Sequence, residues 1–535
     1  MPASSTGCTT SPPAAAVASP SCPTWARRWA ARSPACCGER ATSIAQCCPR
    51  FRSIAASPGS FPWSALHFAS PTSSMNNCSE EFFMSPSAST LARIQSEWHA
   101  LEPAYLARTA QSRKLFDSAR KHLPGGNTRS VLHALPYPLY MQSSQGAACT
   151  DVDGHRYIDF VGEFSAGLYG HSDPVLRDAV RAALDRGVVM AAPIAEEIAL
   201  GELLCSRFPS LEQVRFCNSG TEANLFALAT ARAITGRSCI LAFEHAYHGG
   251  VLTFSDRPSS MNMPFDVRLA RFNDLESVER LVHAEGDAIA AIIVEPMLGA
   301  GGNIAPVPGF LAGLRQLADR CGAVLVFDEV KTSRLGPAGM QGREGVTPDM
   351  TTLGKYLGGG LPLAAFGGRA DIMQHFDPAR ADGLKHAGTF NNNICSLSAA
   401  VAGLAHVYTP ARAEVFTAWG DAVRERLNDQ CRREGLPILA TGVGSILSPH
   451  FTTRPIRSSD DIPATSRQMG QLLHRFLQLQ GLLVCARGDI YLSLPMLDSD
   501  VDTLLAALSR FGYRYRHLIE EAAGVEEQAQ VHASA

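Results

Sequence analysis

The chain has 535 residues, of which 46% are hydrophobic and 18% charged, and its formal net charge is -3 with a sequence pI near 6.6. This is the composition of a globular protein with a large core, and it excludes the strongly basic surface that is typical of nucleic-acid-binding proteins. The longest apolar runs, such as AIAAIIVEP at 288–296, fall short of the roughly 20 residues that a membrane-spanning helix needs, so we expect a soluble protein.

The first 85 or so residues differ in composition from the rest. Residues 1–78 contain six arginines, a single acid (Glu39) and seven of the fifteen cysteines. An Arg- and Ser-rich, acid-poor segment is typical of an organelle transit peptide, but paired cysteines and scattered prolines suit an amphipathic helix poorly. We favour a disordered leader, or translated sequence upstream of a start at Met75 or Met84. We therefore expect a cytoplasmic protein, or a mitochondrial one if residues 1–83 are a transit peptide.

The other eight cysteines are scattered singly between Cys149 and Cys485, and no C-x-x-C pair occurs. This spacing gives no support for a zinc site or a dithiol redox site. We expect these cysteines to be small buried hydrophobic residues in a reducing compartment.

The remainder of the chain reads as an N-terminal helical region, an α/β region and a smaller α+β region. From about residue 92 the pattern is helical and stops at a Pro-Gly-Gly turn, after which YPLYMQ and HRYIDFV are strand-like. Strands and helices then alternate, as in a domain with a largely parallel sheet. After about residue 405 come a helix, the segment TGVGSILSPHF, a second helix and DIYLSLPM. The predicted divisions are a leader (1–90), an N-terminal segment (91–165), a large domain (166–405) and a small C-terminal domain (406–520).

Four segments of the α/β region open with a short apolar run, typical of a buried strand, and then turn polar. They are VRFCNSGTEANLFALATARAITG, CILAFEHAYHGG, AAIIVEPMLG and GAVLVFDEVKTSR. The polar residues at the ends of the runs are Asn218 to Thr221, Tyr247 and His248, Glu295, and Asp328. Because ligands of open parallel sheets bind outside the carboxyl ends of the strands, we expect one shared site there.

The residue types at these strand ends fit the chemistry of one cofactor. Ser219 and Glu222 form an S-x-x-E capping box, and the N–H groups of a helix start can hold a phosphate, although a plain capped helix is the alternative. Asp328, at a buried strand tip, needs a cationic partner, which a protonated pyridine would supply. Lys355 lies in the glycine-bounded turn TTLGKYLGGGLP and is either a solvated lysine or an amine nucleophile. With Tyr247 as a stacking ring, the set predicts pyridoxal 5'-phosphate (PLP).

The order of the motifs resembles a known family. SGTEAN, AYHGG, VEP, VFDEV, TTLGKYLGGGLP, FGGR and HAGTFNNN follow one another as in the class III, fold type I aminotransferases, over about residues 115–510. LPGGNTRSV, YGHSDP and GTFNNN resemble the glutamate-1-semialdehyde aminomutase branch, and within it the β-phenylalanine aminotransferases. The resemblance implies a large domain with a mostly parallel sheet and a smaller α+β domain built from the N-terminal segment and the C-terminal part.

The resemblance also implies roles for individual residues. Gly220 and Thr221 would hold the phosphate together with Thr389 of the partner subunit, and Val330 would pack on the ring face opposite Tyr247. The site would therefore lie at a homodimer interface. The implied cofactor-binding residues are Ser219, Gly220, Thr221, Tyr247, Glu295, Asp328, Val330, Lys355 and Thr389. The implied catalytic residues are Lys355, Asp328 and Tyr247.

Two arginines are the candidate substrate-binding residues. Arg129, in NTRSV, and Arg487, in ARGDIYLSLP, match positions at which the β-phenylalanine aminotransferases carry carboxylate-binding arginines, although either one alone would pass for a surface residue. If both bind carboxylates, the donor can be a β-amino acid.

We therefore expect a transaminase that moves an amino group from an amino acid, with a β-amino acid such as β-phenylalanine favoured, to a 2-oxo acid such as 2-oxoglutarate. The alternatives are an isomerase similar to glutamate-1-semialdehyde 2,1-aminomutase and a non-catalytic relative. GTFNNN, where mutases typically read GTxxGNP, weakens the isomerase reading. A second departure is Lys331, which stands where such sequences usually have an apolar residue and could alter the pocket wall. We expect no nucleic-acid or membrane partner.

Overall fold

The computed structural model describes residues 86–254 and 259–533. Residues 1–85 of the predicted leader, with their seven cysteines, Met75 and Met84, lie outside these residues. Within them no single helix is long and apolar enough to cross a membrane. One bent pair, Ile394–Val407 with Pro410–Arg433, reaches the required length and hydropathy only when its two helices are taken together.

The strands of the described residues belong to three sheets. They are β1 (Met141–Gln145), β2 (Ala148–Asp151), β3 (Arg156–Asp159), β4 (Gln213–Cys217), β5 (Cys239–Phe243), β6 (Asp266–Ala270), β7 (Ile289–Val294), β8 (Val324–Asp328), β9 (Met350–Leu353), β10 (Ala364–Gly368), β11 (Leu439–Val443), β12 (Ile446–His450), β13 (Leu482–Leu483) and β14 (Ile490–Tyr491).

The α-helices cover these sheets and their ends. They are α1 (Pro86–Ala100), α2 (Glu102–Arg108), α3 (Ala110–Ala119), α4 (Pro174–Arg186), α5 (Ala195–Arg207), α6 (Gly220–Thr235), α7 (Leu275–Glu285), α8 (Phe310–Cys321), α9 (Gly339–Glu344), α10 (Ala370–Met373), α11 (Ile394–Ala402), α12 (Pro410–Arg433), α13 (Ser466–Leu479) and α14 (Asp498–Ala533).

The largest sheet has seven strands in the order β4-β10-β9-β8-β7-β5-β6, and all neighbours are parallel except the two pairs that β10 makes. Strands β5, β7 and β8 are buried along their whole length, as their uninterrupted apolar runs predict. The fourth predicted strand, β4, lies instead at the sheet edge and is largely half-buried. Since β10 is antiparallel to both β4 and β9, β4 still runs in the same direction as the central strands.

The other two sheets connect the beginning of the described chain with its end. Strand β13 pairs in parallel with β3 and completes the sheet β1-β2-β3-β13. Strands β11 and β12 form a hairpin that β14 extends. This arrangement confirms the predicted fold class, in which N-terminal and C-terminal parts combine beside a mostly parallel sheet. The exact domain limits stay a prediction.

One local prediction needs correction. YPLYMQ was expected to be a strand, but the strand begins only at Met141, because Pro136 and Pro138 remove backbone donors from the preceding stretch. The predicted N-terminal helical region consists of α1, α2 and α3, with breaks at Leu101 and Thr109; α2 carries its proline in the first turn, where a missing N–H is tolerated. HRYIDFV does form a strand, β3.

The eight cysteines outside the leader are all unpaired. Six of them are buried and two are half-buried, so they pack as small hydrophobic residues.

Candidate active site

The carboxyl ends of three parallel strands bring their polar residues together. The backbone N–H of Tyr247, which follows β5, donates to Glu295 Oε1 after β7 (2.9 Å). His248 Nδ1 lies 2.8 Å from Asp328 Oδ2 at the end of β8. These contacts join residues from three different strand ends into one cluster, as expected for a site at the edge of an open sheet.

Asp328 is a buried carboxylate with partners from several parts of the chain, among them Thr352 Oγ1 in β9, which donates to Oδ1 (3.4 Å). Besides the His248 contact, Asn224 Nδ2 in α6 donates to Oδ2 (2.8 Å) and the Val330 N–H donates to Oδ1 (3.1 Å). Burial alone would raise the pKa of Asp328, but the hydrogen bond and charge of His248, together with the charge of Lys355, hold that pKa below its usual value. Asp328 is therefore ionised and fixed in position.

His248 and Asn224 were not identified from the sequence as partners of Asp328. The sequence feature that could have identified His248 as a site residue was its position next to Tyr247 in AYHGG. Both side chains are buried, and the second ring nitrogen of His248, Nε2, is buried without a hydrogen-bond partner. Asn224 also accepts a hydrogen bond from Thr352 Oγ1 (2.6 Å), which fixes the amide so that its N–H points to the carboxylate.

Lys355 begins a short 3-10 helix, Lys355–Gly358, directly after β9 and its flanking Gly354. Its φ is 51°, in the left-handed region that non-glycine residues rarely adopt, which is a form of strain that concentrates at functional sites. Among the described residues its amine has no hydrogen bond or ion pair. Burial lowers the pKa of Lys355, and the nearby Asp328 and Glu295 carboxylates oppose this shift. The result is a half-buried amine with a lowered pKa, which can act as a nucleophile.

Glu295 connects the Tyr247 segment to the turn after β7. Its Oε1 accepts from the Tyr247 N–H, and its Oε2 accepts from the Gly299 N–H (3.2 Å). Burial raises its pKa, and the Asp328 charge acts in the same direction. The Tyr247 side chain is 46% exposed, so its ring is open to a ligand.

The start of α6 is capped by Ser219 and packs against Val330. Ser219 Oγ accepts from the Glu222 N–H (3.2 Å), but the Glu222 carboxylate binds the N–H of Asn218 (2.9 Å) instead of that of Ser219, so only half of the predicted capping box forms. A β-carbon added to Gly220 would lie 2.7 Å from Val330 Cγ1. Val330 therefore packs directly against the helix start, and only glycine fits there.

The two candidate arginines lie near different parts of the cluster. Arg129 forms an ion pair with Glu163, stacks 5.5 Å from the centroid of the Phe164 ring, and its charge lowers the pKa of Tyr247 against the effect of burial. Arg487 pairs with Asp489, with 2.6 Å between Nη2 and Oδ2. Both arginine side chains are about half exposed.

The partners of Arg129 lie in a strained turn that the sequence did not reveal. Glu163, Phe164 and Ser165 all have positive φ (47°, 56° and 80°). A run of left-handed non-glycine residues is costly, so the surrounding structure must hold it in place. The cost is consistent with a role in presenting Glu163 and Phe164 to Arg129.

Thr389 is not brought into this cluster within one chain. It is exposed and lines a separate cavity of about 460 Å³. The other residues that line this cavity are Val188 to Pro193, Glu197, Phe390, Asn392 and Asn393. The predicted role of Thr389 depends on a partner subunit and stays a prediction.

Comparison with known proteins identifies the family of the chain. A family model described as aminotransferase class III matches residues 132–510. A β-phenylalanine transaminase from Variovorax paradoxus is 46% identical over 400 residues, which are 75% of this chain and 92% of that protein.

Several solved structures are similar to this chain in fold and sequence. The crystal structure of a β-phenylalanine aminotransferase from Variovorax paradoxus has a TM-score of 0.78 at 44% identity, covering 79% of this chain and 99% of that one. A glutamate-1-semialdehyde aminomutase from Pseudomonas aeruginosa PAO1 has a TM-score of 0.73 at 26% identity, covering 81% and 99%. A transaminase with PLP bound has a TM-score of 0.69 at 28% identity, covering 79% and 99%.

Proposed function

The chain belongs to the class III aminotransferases, and on that premise we propose that it binds PLP between Lys355, Asp328 and the start of α6. We further propose that it moves the amino group of a β-amino acid such as β-phenylalanine to a 2-oxo acid such as 2-oxoglutarate. The observation that carries the proposal is Lys355. Its half-buried amine has no hydrogen bond or ion pair among the described residues, its φ is positive, and the Asp328 and Glu295 carboxylates lie close to it.

Several features of this site fit PLP. The first N–H groups of α6 at Gly220 and Thr221 have no partner within the helix and suit a phosphate. Asp328 is ionised and suits a protonated ring nitrogen. The exposed Tyr247 ring offers a stacking face, and Val330 supplies an apolar surface next to Gly220.

When bound, PLP supplies an aldehyde carbon that exchanges amines and a protonated ring that takes up electrons. The chain supplies the rest. Asp328, held by His248 and Asn224, would keep the ring nitrogen protonated. Lys355 Nζ would hold the cofactor and would take the proton from the donor carbon that carries the amine; in the second half-reaction it would deliver a proton to the carbonyl carbon of the 2-oxo acid. Glu295 fixes the segment that presents Tyr247.

The substrate proposal rests on the two arginines. A transaminase must hold the carboxylates of two different substrates in one pocket, and the planar guanidinium suits that task. Arg129 lies near Tyr247, whereas Arg487 lies near Asp489. A carboxylate can thus be bound at either end of the proposed pocket. This arrangement leaves room for a donor whose amino group is on the carbon β to its carboxylate. The identity with the Variovorax paradoxus β-phenylalanine transaminase supports the same donor class.

We also propose a homodimer. The cavity that contains Thr389 is bordered by exposed apolar side chains, among them Val189 (84% exposed) and Phe390 (63%). Such a patch favours burial against another copy, which would carry Thr389 to the partner's site. Sedimentation analysis tests this, and a monomer that is fully active would contradict it.

We also propose a cytoplasmic location. The unpaired cysteines suit a reducing compartment, which supports this proposal.

The decisive experiment is a mass-balance assay with the purified PLP-loaded enzyme. β-Phenylalanine is supplied with 2-oxoglutarate, with pyruvate, or with no 2-oxo acid, and both amino products are quantified. Transfer that strictly requires added 2-oxo acid supports the transaminase. Isomerisation of a single amino compound without any 2-oxo acid would support the aminomutase alternative instead, and reaction with α-amino donors only would overturn the β-amino assignment.

A further inference from the structure

Lys331 is a buried lysine that the chemistry proposed above does not use. It follows Val330 shortly after the end of β8, and only 8% of the residue is exposed. Its Nζ donates a hydrogen bond to Asn303 Oδ1 and lies 5.2 Å from the centroid of the Tyr491 ring. No carboxylate of the described residues forms an ion pair with it. Because a buried ammonium is costly unless it is compensated, its charge must be balanced by groups nearby.

Asn303 connects Lys331 to a buried carboxylate. The amide accepts from Lys331 at Oδ1 and donates from Nδ2 to Asp489 Oδ1 (3.3 Å). Ser448 Oγ donates to the same oxygen (2.8 Å). The other oxygen, Oδ2, accepts from Arg487 Nη2 (2.6 Å) and Nε (3.2 Å). Lys331 is therefore linked through one amide to the carboxylate that binds Arg487.

The charges of this cluster do not cancel. The hydrogen-bonded cluster holds two cations, Lys331 and Arg487, and one anion, Asp489. The Glu295 carboxylate also acts on Lys331 but makes no hydrogen bond within this cluster. Burial would raise the pKa of Asp489, but the charges of Arg487 and Lys331 hold it below its usual value, so the carboxylate is ionised. The Asp489 side chain is 4% exposed, whereas that of Arg487 is 49% exposed. The excess positive charge of the cluster is thus accessible to a ligand at the Arg487 guanidinium.

We propose that Lys331 is a positioning residue for Arg487: its charge, transmitted through Asn303, stabilises Asp489 so that Arg487 can bind a substrate carboxylate without leaving Asp489 uncompensated. With Lys331, two cations balance Asp489 and the bound carboxylate. Without it, two carboxylates would share one guanidinium and repel each other. This inference rests on the role of Arg487 in substrate binding that is part of the proposed function.

The charge of Lys331 changes as the pH passes through about 8. Burial lowers the pKa of Lys331 to about 8; the charges of Arg487 and Lys355 act in the same direction, and those of Asp489 and Glu295 oppose them. The titratable and charged groups that face Lys331 are Asp489, Arg487, Glu295, Lys355 and Tyr491. As pH rises through about 8 the cluster loses one positive charge, so carboxylate binding weakens.

The test is calorimetric titration of the PLP-loaded enzyme with glutarate, a dicarboxylate that has neither a keto nor an amino group, at pH 7 and pH 9. We expect wild-type affinity to fall by about tenfold between the two, the change in the protonated fraction of a group with a pKa near 8. Lys331→Met should bind weakly at both pH values. Lys331→Arg, which stays charged, should bind equally at both. Lys114→Met, at an exposed position, is the matched control.

The possible results separate this inference from the proposed function. If Arg487→Ala weakens binding but Lys331→Met does not, the positioning role of Lys331 is wrong and the carboxylate role of Arg487 stands. If Arg487→Ala binds glutarate like the wild type, the carboxylate role itself fails, and the inference with it. Should Lys331→Met not fold, Lys331→Arg still decides, because a wild-type pH dependence in that variant contradicts the proposal.

Discussion

His248 Nδ1 lies 2.8 Å from Asp328 Oδ2, and both side chains are almost completely excluded from solvent. Asn224 donates to the same carboxylate oxygen. The protein thus contains an ionised carboxylate at the end of β8 that its own side chains orient. Such preorganisation avoids reorientation during the reaction.

Asp328→Asn should keep the fold but lower turnover by on the order of 10²-fold, because a neutral amide cannot keep a ring nitrogen protonated. His248→Phe should give a smaller loss, since Asp328 retains its bond from Asn224. Steady-state kinetics measure both effects, with the exposed Asp382→Asn as control. An Asp328→Asn enzyme within a few-fold of the parent would disprove the role of Asp328.

Lys355→Ala should abolish turnover while still binding PLP through its phosphate. The purified wild-type protein should be yellow from cofactor attached to the lysine amine, and the variant should lack that absorbance band. Absorption spectra and an amino-transfer assay test the two effects together. The control is Lys385→Ala, at an exposed position. Comparable transamination by the Lys355 variant would show that the nucleophile has been assigned wrongly.

Gly299→Ala should destabilise the protein. An added β-carbon would lie 2.6 Å from Glu295 Oε2 and 2.9 Å from Lys331 Cδ, in a buried site where neither group can move freely. We expect the free energy of unfolding to fall by about 1–3 kcal/mol, as for other overpacked cores. Denaturant titration measures it. Gly250→Ala is the matched control, because its added carbon would have no atom within 4 Å, and equal stability losses would refute the packing argument.

Arg129→Ala and Arg487→Ala should each raise the Michaelis constant for at least one carboxylate substrate. Replacement by lysine should rescue poorly, since an ammonium lacks the planar fork of donors. The constants for donor and acceptor are measured separately, and the exposed Arg113→Ala serves as control. Unchanged constants in both alanine variants would remove the basis for a β-amino donor.

Residues 1–83 should be dispensable for catalysis. Their composition offers little to bury, and all the motifs of the site follow residue 120. A shortened chain that starts at Met84 retains α1, whose Arg93 forms an ion pair with Glu521 in α14. We expect the specific activity and unfolding midpoint of the full chain. An insoluble or inactive product would show that the leader has a structural role.

The fold class and the grouping of the candidate site residues at one sheet edge followed from the sequence. Apolar runs such as AAIIV and AVLVF predict strands covered on both faces, and parallel strands present their carboxyl ends at one edge of a sheet. Placing Tyr247, Glu295 and Asp328 near one another therefore required only the strand ends. An uninterrupted apolar run is a local feature of the sequence. It therefore predicts a buried strand, and the position of its end, without knowledge of the tertiary structure.

The partners of these residues were decided only by the tertiary structure. His248 and Asp328 are separated by 80 positions, and Asn303 and Asp489 by 186, so no local pattern connects them. Whether β4 lies at the edge or the centre of the sheet depended on the position of β10, because pairing order is set by packing of distant segments. The sequence determined which side chains reach the site; their charge states and contacts arise from long-range packing, which alone brings buried charges within hydrogen-bonding distance.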